Sequence, residues 1–134
     1  MVTTMPRVQA VVLPILRAAL PGVEIGSWLP DVDYRVYPYI NVRRLGGTPE
    51  DPELFDRPTI ELTVYGNTDL PTTEELYQSA RLAIFRAFKF QTVTPSGYLN
   101  WYRETMGPTQ FDSPFDDTWR VQGLIQLGLR PLRT

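Results

Sequence analysis

The chain contains neither cysteine nor histidine among its 134 residues. It therefore cannot form a disulfide, a thiol nucleophile, a Cys/His zinc site or a catalytic triad that depends on imidazole. The carboxylates of Asp and Glu are the remaining groups for acid–base chemistry. The missing cysteine is compatible with any redox compartment, so it does not indicate where the protein works.

Lysine is nearly absent, because Lys89 is the only one among thirteen basic residues and the others are Arg. With fifteen acidic residues the net charge is -2, which argues against a protein that grips nucleic acid through a basic surface. Arginine suits planar pairing with carboxylates across interfaces, although nucleotide bias in the gene would give the same usage. The apolar run near the N-terminus is interrupted by Arg17, so we expect neither a signal peptide nor a membrane helix.

Hydrophobic residues make up 43% of the chain and charged residues 21%, which is typical of a soluble folded protein. A chain of this length is most simply one domain, here 1–134, and it can bury roughly two-thirds of its unfolded surface. Thirteen prolines and nine glycines predict many loops.

Two segments have the apolar spacing of helices. Residues 6–20 carry one apolar stripe and end at a Pro–Gly pair, and Pro14 inside this segment predicts a kink or a restarted helix. Residues 73–90 follow a capping-box pattern formed by Thr72 and Glu75. The expected buried residues are Val8, Val11, Val12, Ile15, Leu16, Ala19 and Leu20 in the first helix and Leu76, Ala80, Ala83, Ile84, Ala87 and Phe88 in the second.

Five segments are predicted as strands: 23–28, 34–45, 59–66, 98–106 and 119–132. Their one-sided alternation and short links favour an α+β fold, with a mainly antiparallel sheet of four to five strands, two helices on one face and two long loops.

One face of this sheet is predicted to be apolar and the other polar with aromatics. Val36, Ile40, Val42, Ile60, Leu62 and Val64 are expected to point inward, and Tyr37, Tyr39, Glu61, Tyr65, Arg120 and Gln122 are expected on the opposite face. That opposite face is suited to a wet protein interface or to simple solvation. Pro38 predicts an edge position or a bulge for its strand.

Segments 46–58 and 107–118 are the two predicted long loops. Loops longer than about 12 residues are usually functional or disordered. Both place apolar side chains among acids and prolines, namely Leu54, Phe55, Phe111 and Phe115. We expect these side chains to dock either on their own subunit or on a neighbour.

Acidic residues cluster in the same two loops, but their spacing matches no calcium-binding pattern, and no Lys or His accompanies them. The glycines of "RRLGG" lack the spacing of a phosphate-binding motif. We therefore predict no catalytic residue, no metal site and no cofactor. A small metal-dependent enzyme and a nucleic-acid-binding module remain as weaker alternatives.

The strand "YPYINVRRLGG", the strand "FDRPTIELTVYG", the helix "ELYQSARLAIFRAF" and the loop region "GPTQFDSPFDDTWR" together resemble the tail terminator (tail completion) proteins of long-tailed bacteriophages, especially actinobacterial phages. This resemblance implies a structural, non-enzymatic subunit of a hexameric ring. The ring would cap the tail tube, end its polymerisation and meet the head connector, while viral DNA passes through the hole. The implied location is the virion tail, assembled in host cytoplasm without a membrane partner. A head–tail neck connector or head-completion protein is the alternative.

If the chain is a subunit of such a ring, the candidate contact residues lie in the two loops and among the nearby arginines. The partner-interface candidates are Arg43, Arg44, Leu54, Phe55, Asp56, Arg57, Phe111 and Phe115. The candidate carboxylates facing the lumen or the tube are Glu50, Asp51, Glu53, Asp112, Asp116 and Asp117. The alternative for the arginines is that they are solvated side chains at the ends of strands and contact no partner.

Overall fold

The computed structural model describes residues 5–28 and 35–132. In chain order the elements are α1 (Val8–Ala19), β1 (Glu24–Gly26), β2 (Tyr39–Gly47), β3 (Pro58–Gly66), α2 (Leu70–Lys89), β4 (Gly97–Phe111) and β5 (Trp119–Pro131). The strands form one five-stranded sheet in the order β1-β2-β3-β5-β4. Only the short β1–β2 pair is parallel within this sheet, and the other three pairs are antiparallel. The predicted α+β fold with a mainly antiparallel sheet is confirmed.

The hydrophobic core lies between the two helices and the sheet face that they cover. Ile60, Leu62 and Val64 of β3 are fully buried, as their alternation predicted. Both helices and the inward residues of β2, β4 and β5 belong to the same cluster. Each Å² of apolar surface removed from water contributes about 25 cal/mol to stability. Because most of the buried apolar side chains lie at this face, it is the main stabilising element of the fold.

Helix α1 packs through the predicted stripe, since Val8, Val11, Val12 and Leu16 are fully buried. The helix runs through Pro14 without interruption, so of the two predicted alternatives, a kink or a restarted helix, the restart is wrong. Pro14 lies on the exposed side. A proline in a helix removes one backbone hydrogen bond, and here the packing of the buried stripe offsets that cost.

Helix α2 begins earlier than predicted, and its cap is a different residue. The Asp69 carboxylate accepts a hydrogen bond from the Thr72 backbone N–H at 2.7 Å, and Pro71 lies in the first turn. Hydrogen bonding from Thr72 lowers the pKa of Asp69. The capping box of Thr72 and Glu75 is therefore wrong, because an Asp cap followed by Pro starts the helix at Leu70.

The N-terminal half of α2 lies against the sheet at two glycines. Thr73 and Tyr77 are buried, Thr73 over Gly66 of β3 and Tyr77 over Gly123 of β5. A side chain at either glycine would overlap the hydroxyl above it. Sequence reasoning missed Tyr77, although it lies on the helix face shared by Ala80. Burial, with the nearby Glu104 carboxylate as a second cause, raises the pKa of Tyr77.

Strand β2 starts later than predicted, at Tyr39, directly after the cis peptide bond between Tyr37 and Pro38. Val36 is exposed rather than inward-facing, because it precedes the strand. β2 is not an edge strand at this end, since β1 pairs with it, and its register shift lies farther along, between Arg44 and Gly47. Residue 34 of the predicted strand lies outside the described residues.

The last two strands form a long hairpin. β4 extends to Phe111, which pairs with Arg120, so residues 107–111 of the predicted loop 107–118 are strand and the connection is only 112–118. Register shifts at three places in β4 interrupt the alternation of its side chains. A bulge places two residues opposite one and so hides the period-two pattern by which a strand is recognised in sequence.

We expect Gly123→Ala to destabilise the fold, because the new methyl group would overlap the Tyr77 hydroxyl. Overpacking of this kind costs typically about 1–3 kcal/mol. Urea unfolding measures the change. Gly22→Ala is the matched control, since no atom lies within 4 Å of a side chain there. Adding Tyr77→Phe to Gly123→Ala should restore part of the loss, and equal stability of Gly123→Ala and wild type would contradict the packing argument.

Candidate interaction site

The segment 48–57 between β2 and β3 is folded onto its own subunit at its base. Asp51 and Phe55 form a tight turn, with the Phe55 N–H donating to the Asp51 carbonyl at 2.8 Å. Asp56 then continues the pairing of β3 with β5, since its N–H donates to the Leu129 carbonyl at 3.0 Å and its carbonyl accepts from the Leu129 N–H at 2.8 Å. The base of the loop is thus part of the sheet, and only its tip projects.

A partly buried ion pair holds this base. Both terminal nitrogens of Arg44 donate to the Asp56 carboxylate, at 2.6 and 3.1 Å, and the Arg57 N–H donates to it at 2.9 Å. Asp56 is only 4% exposed, so its charge needs these partners. Arg44 also donates through Nε to the Gly46 carbonyl at 2.7 Å, which links the ion pair to the end of β2. Arg44 and Asp56, both predicted as partner contacts, therefore pair with each other within the subunit.

The sheet face opposite the helices, here called the outer sheet face, is basic although the chain is acidic. Cross-strand pairing sets Arg43 beside Glu61, Arg103 beside Gln126, Arg120 beside Tyr65 and Phe111, and Arg130 beside Tyr98. Among the described residues, carboxylates pair with only two arginines at this face: Glu61 with Arg43 at 3.0 Å and Glu50 with Arg57 at 3.2 Å. The face thus has more cations than anions.

Arginines stack on aromatic rings at one end of the outer sheet face. The Arg57 guanidinium lies 5.0 Å from the Trp101 ring centre and 5.4 Å from that of Phe55, and Arg130 lies 5.2 Å from Phe55. Gly128 lies opposite Trp101 in the neighbouring strand, and a side chain there would overlap Trp101. Phe55 is therefore held between two cations of its own subunit, an arrangement worth roughly 0.5–1 kcal/mol for each exposed contact.

Aromatic packing also covers the opposite end of the outer sheet face. The Phe115 ring lies 5.5 Å from that of Tyr65, with the Arg35 guanidinium 3.9 Å from the Phe115 ring centre. Burial, more than the nearby charges, raises the pKa of Tyr65. Phe111 is exposed at the end of β4, with Arg120 5.3 Å from its ring centre.

The expectation of an open, wet face is wrong at this end. Tyr39, Tyr65 and Gln122 are all buried within the isolated subunit. The reason is that the connection 112–118 folds back, so that Phe115 rests against Tyr65. Tyr39 has a further local partner, because its hydroxyl donates to the Trp28 carbonyl at 2.5 Å.

The two groups of predicted carboxylates lie far apart. One group is in 48–57, beside Leu129, and the other is in 112–118, beside Trp119, so about 30 Å of β5 separates them. Glu50, Glu53, Asp112, Asp116 and Asp117 are exposed, whereas Asp51 is half-buried and its carboxylate accepts from the Glu53 N–H at 2.9 Å. Within the described residues no group of three or more acidic side chains could hold a metal ion.

Of the predicted apolar contacts, Leu54 is the most exposed, with 59% of its surface in solvent at the loop tip, and Phe111 is also exposed. Sequence reasoning missed a second apolar surface on the helical side. There an open groove between α1 and α2 is lined by Ile15, Ala18, Leu82 and Phe90 among others. The sequence did contain an indication of this surface, because Leu82 is an apolar residue of α2 that lies outside the stripe facing the core. Neither helix in the described part of the chain is long and apolar enough to cross a membrane.

A family model described as "Phage tail termination protein" matches residues 4–134. The chain belongs to the phage tail termination protein family. It is 52% identical to the Gene 22 protein of Mycobacterium phage L5 and 48% identical to the Gene 22 protein of Mycobacterium phage D29, in each case over 97% of this chain and 96% of the relative. The resemblance drawn from the sequence is therefore confirmed, and the chain is a structural protein of a phage tail.

A solved structure shares the fold. A chain from the virion of a native gene transfer agent particle superposes with a TM-score of 0.58, covering 91% of this chain and 93% of that one, at 15% identity. At 15% identity, this similarity shows a shared fold and nothing about a shared role.

We expect Asp56→Asn to lower the free energy of unfolding by roughly 2–3 kcal/mol, because it leaves the Arg44 guanidinium beside a neutral group in a mostly buried site. Urea unfolding provides the measurement. Glu50→Gln is the matched control: its pair with Arg57 is largely exposed, so the expected change is below about 1 kcal/mol. Equal losses in the two variants would disprove the anchoring role of Asp56.

Proposed function

We propose that this tail termination protein forms a ring, a hexamer, that caps the tail tube, ends its polymerisation and joins it to the head connector, with viral DNA passing through the hole. It assembles in the host cytoplasm and remains in the virion. Membership of the family over residues 4–134 is the observation that carries this proposal. The surface of the subunit supports it with four further features.

The outer sheet face has the composition of a protein-binding surface. Arginine and aromatic residues dominate the energetically important centres of interfaces, and here Trp101, Phe111, Arg103 and Arg130 are at least partly accessible to solvent. Stacking on Phe55 also orders Arg130 before any partner arrives. A side chain that is already ordered loses less conformational entropy on binding.

The charge distribution supports a head-to-tail arrangement of subunits. The outer sheet face is basic, whereas Glu53 in loop 48–57 is exposed and forms no ion pair with any described residue. A ring with cyclic symmetry uses two different surfaces of the same chain at each contact. Opposite charges on those surfaces would steer subunits into register and oppose wrong pairings.

The exposed tip of loop 48–57 is the proposed apolar anchor toward the tube or a neighbouring subunit. Leu54 is its most exposed apolar residue, and the turn between Asp51 and Phe55 presents it rigidly. Phe55 is packed between Arg57 and Arg130, so it supports the tip from inside the subunit. Fully burying one such side chain contributes about 1.5–3 kcal/mol, which is enough to shift a weak assembly equilibrium.

The carboxylates of 112–118 are proposed to face the lumen or the tube-facing rim. A lumen lined by cations would hold DNA phosphates, because binding them releases condensed counterions. Exposed carboxylates would repel the phosphates and let the DNA slide. Asp116 and Asp117 at the hairpin tip are the best placed, since both are exposed and no described cation pairs with them.

Light scattering of the purified chain, alone and mixed with the major tail tube protein, tests the ring directly. The expected result is a ring-sized mass, at least in the presence of tubes. Binding to portal-capped heads in place of tubes would favour the alternative, a neck connector or head-completion protein. A monomer that binds neither particle would refute the proposal.

We expect Leu54→Ser to leave a folded subunit but to produce tails of uncontrolled length, because the anchor that holds the cap on the tube is lost. Complementation of a phage that lacks the gene, with tail lengths measured by electron microscopy, checks this. Leu82→Ser is the matched control: it removes an exposed leucine from the helical side, and we expect normal tails. Normal tails from both variants would exclude Leu54 as an anchor.

We expect the double variant Asp116→Lys and Asp117→Lys to assemble into particles but to slow DNA ejection, because new cations near the lumen would hold phosphates. Ejection rates of purified phage at low and high salt measure this, and salt should reduce the difference by screening. Glu74→Lys with Glu75→Lys makes the same charge change on exposed positions of α2 and should leave ejection unchanged. Unchanged ejection from both double variants would contradict the lumen assignment.

A further inference from the structure

The sheet has an open edge on each side. β4 forms one edge, and no described strand pairs with its outer side along Gly97–Phe111. On the other side β1 covers only Tyr39–Asn41 of β2, so the rest of β2 is also open among the described residues. Open edges present unpaired N–H and C=O groups, and proteins normally cover or disrupt them.

Only part of each open edge is disrupted. In β4 the register shifts between Glu104 and Thr109, together with Pro108, would block a regular ladder in the second half of the strand. The stretch 101–104 is regular, since each residue there has a consecutive partner in β5. In β2 the stretch 42–44 is likewise regular, and the register shift follows it. Each edge therefore retains one short segment that can accept another strand.

The two regular segments meet at one row of the sheet. Arg44 pairs with Ile60 of β3, Ile60 pairs with Ile125 of β5, and Ile125 pairs with Glu104 of β4. One row of cross-strand partners thus runs from one open edge to the other. From this row 42–44 extends toward one end of the sheet and 101–104 toward the other, so a second copy displaced by two residues along the strands, about 7 Å, brings its 42–44 segment next to 102–104 with Arg43 opposite Arg103. Tilted strands produce a stagger of this kind when a sheet closes on itself.

The strand directions also agree. β2 is antiparallel to β3, β3 is antiparallel to β5, and β5 is antiparallel to β4, so β4 is antiparallel to β2. If copies are related by rotation with their sheets continuing side by side, β4 of one copy meets β2 of the next in the antiparallel sense. Antiparallel pairing is slightly more stable per residue than parallel pairing.

We propose that segment 101–104 of β4 pairs with segment 42–44 of β2 in a neighbouring copy, so that the sheet continues from subunit to subunit. The inference rests on the proposed ring and specifies its contact. The contact is heterologous, because β4 meets β2 and not another β4, and repeated rotation can close it. It also aligns the outer sheet faces of successive copies as one surface.

The absence of cysteine in the wild-type chain allows a direct test. Arg43→Cys and Arg103→Cys place one thiol at each proposed edge, and both positions are exposed on the outer sheet face. Phage particles made with the double variant are treated with a short bismaleimide, which tolerates a small shift of register. Cross-linked chains are then resolved by denaturing electrophoresis. A second pair, Leu45→Cys with Arg103→Cys, places the thiols at diagonal positions and is tested in parallel in case Arg43→Cys prevents folding.

The expected result is a ladder of linked chains from the double variant that reaches the full ring, with no linked chains from either single variant. Dimers from Arg103→Cys alone would mean that β4 pairs with itself, which overturns the inference. Particles that contain the double variants but show no cross-links also overturn it, while the proposed ring survives. Loss of assembly by both pairs, when each single variant assembles, counts against it too, since the contact should tolerate a small side chain on both strands. A chain that is never found on tails removes both the inference and the proposed function.

Discussion

The close packing of α2 against the sheet is the constraint on which the rest of the structure depends. Thr73 and Tyr77 meet β3 and β5 where Gly66 and Gly123 have no side chain, and this contact decides which sheet face becomes the core. Because α1 and α2 cover that face, the side chains of the other face need not be apolar. Its arginines and aromatics are therefore not needed to complete the core, and a surface of this kind can be used for recognition.

A second constraint connects the fold to the loops. The buried Asp56 carboxylate requires the Arg44 guanidinium, and this pair ties the end of β2 to the start of β3. The loop between these strands is consequently held to its own subunit: its base belongs to the sheet, Phe55 packs against two arginines, and Leu54 is the large apolar side chain that the loop presents outward. A loop held in this way can offer one apolar side chain to a partner at little entropic cost. This matches a structural protein of a phage tail, whose task is to fit other subunits.

Much of the fold followed from patterns in the sequence, and the failures have local causes. The alternation of Ile60, Leu62 and Val64 and the stripe of α1 were predicted because each lies on one face of a regular element. The hairpin of β4 was underestimated because bulges break its alternation, and the start of α2 was misplaced because two capping patterns compete within a few residues. Among the candidate contacts, the pairing of Arg44 with Asp56 within the subunit was not foreseen, since ion pairs depend on which strands become neighbours.

By itself the sequence determined the classes of chemistry that are absent, the α+β fold, the apolar face of β3 and the family. Those properties depend on residue types and on short-range periodicity, which the chain carries locally. Only the tertiary structure decided that β3 lies between β2 and β5, that Arg43, Arg103, Arg120 and Arg130 share one face, that the two acidic loops lie at opposite ends of the sheet, and that two strand edges remain open among the described residues. These features arise from pairing between segments distant in sequence, which no local pattern encodes.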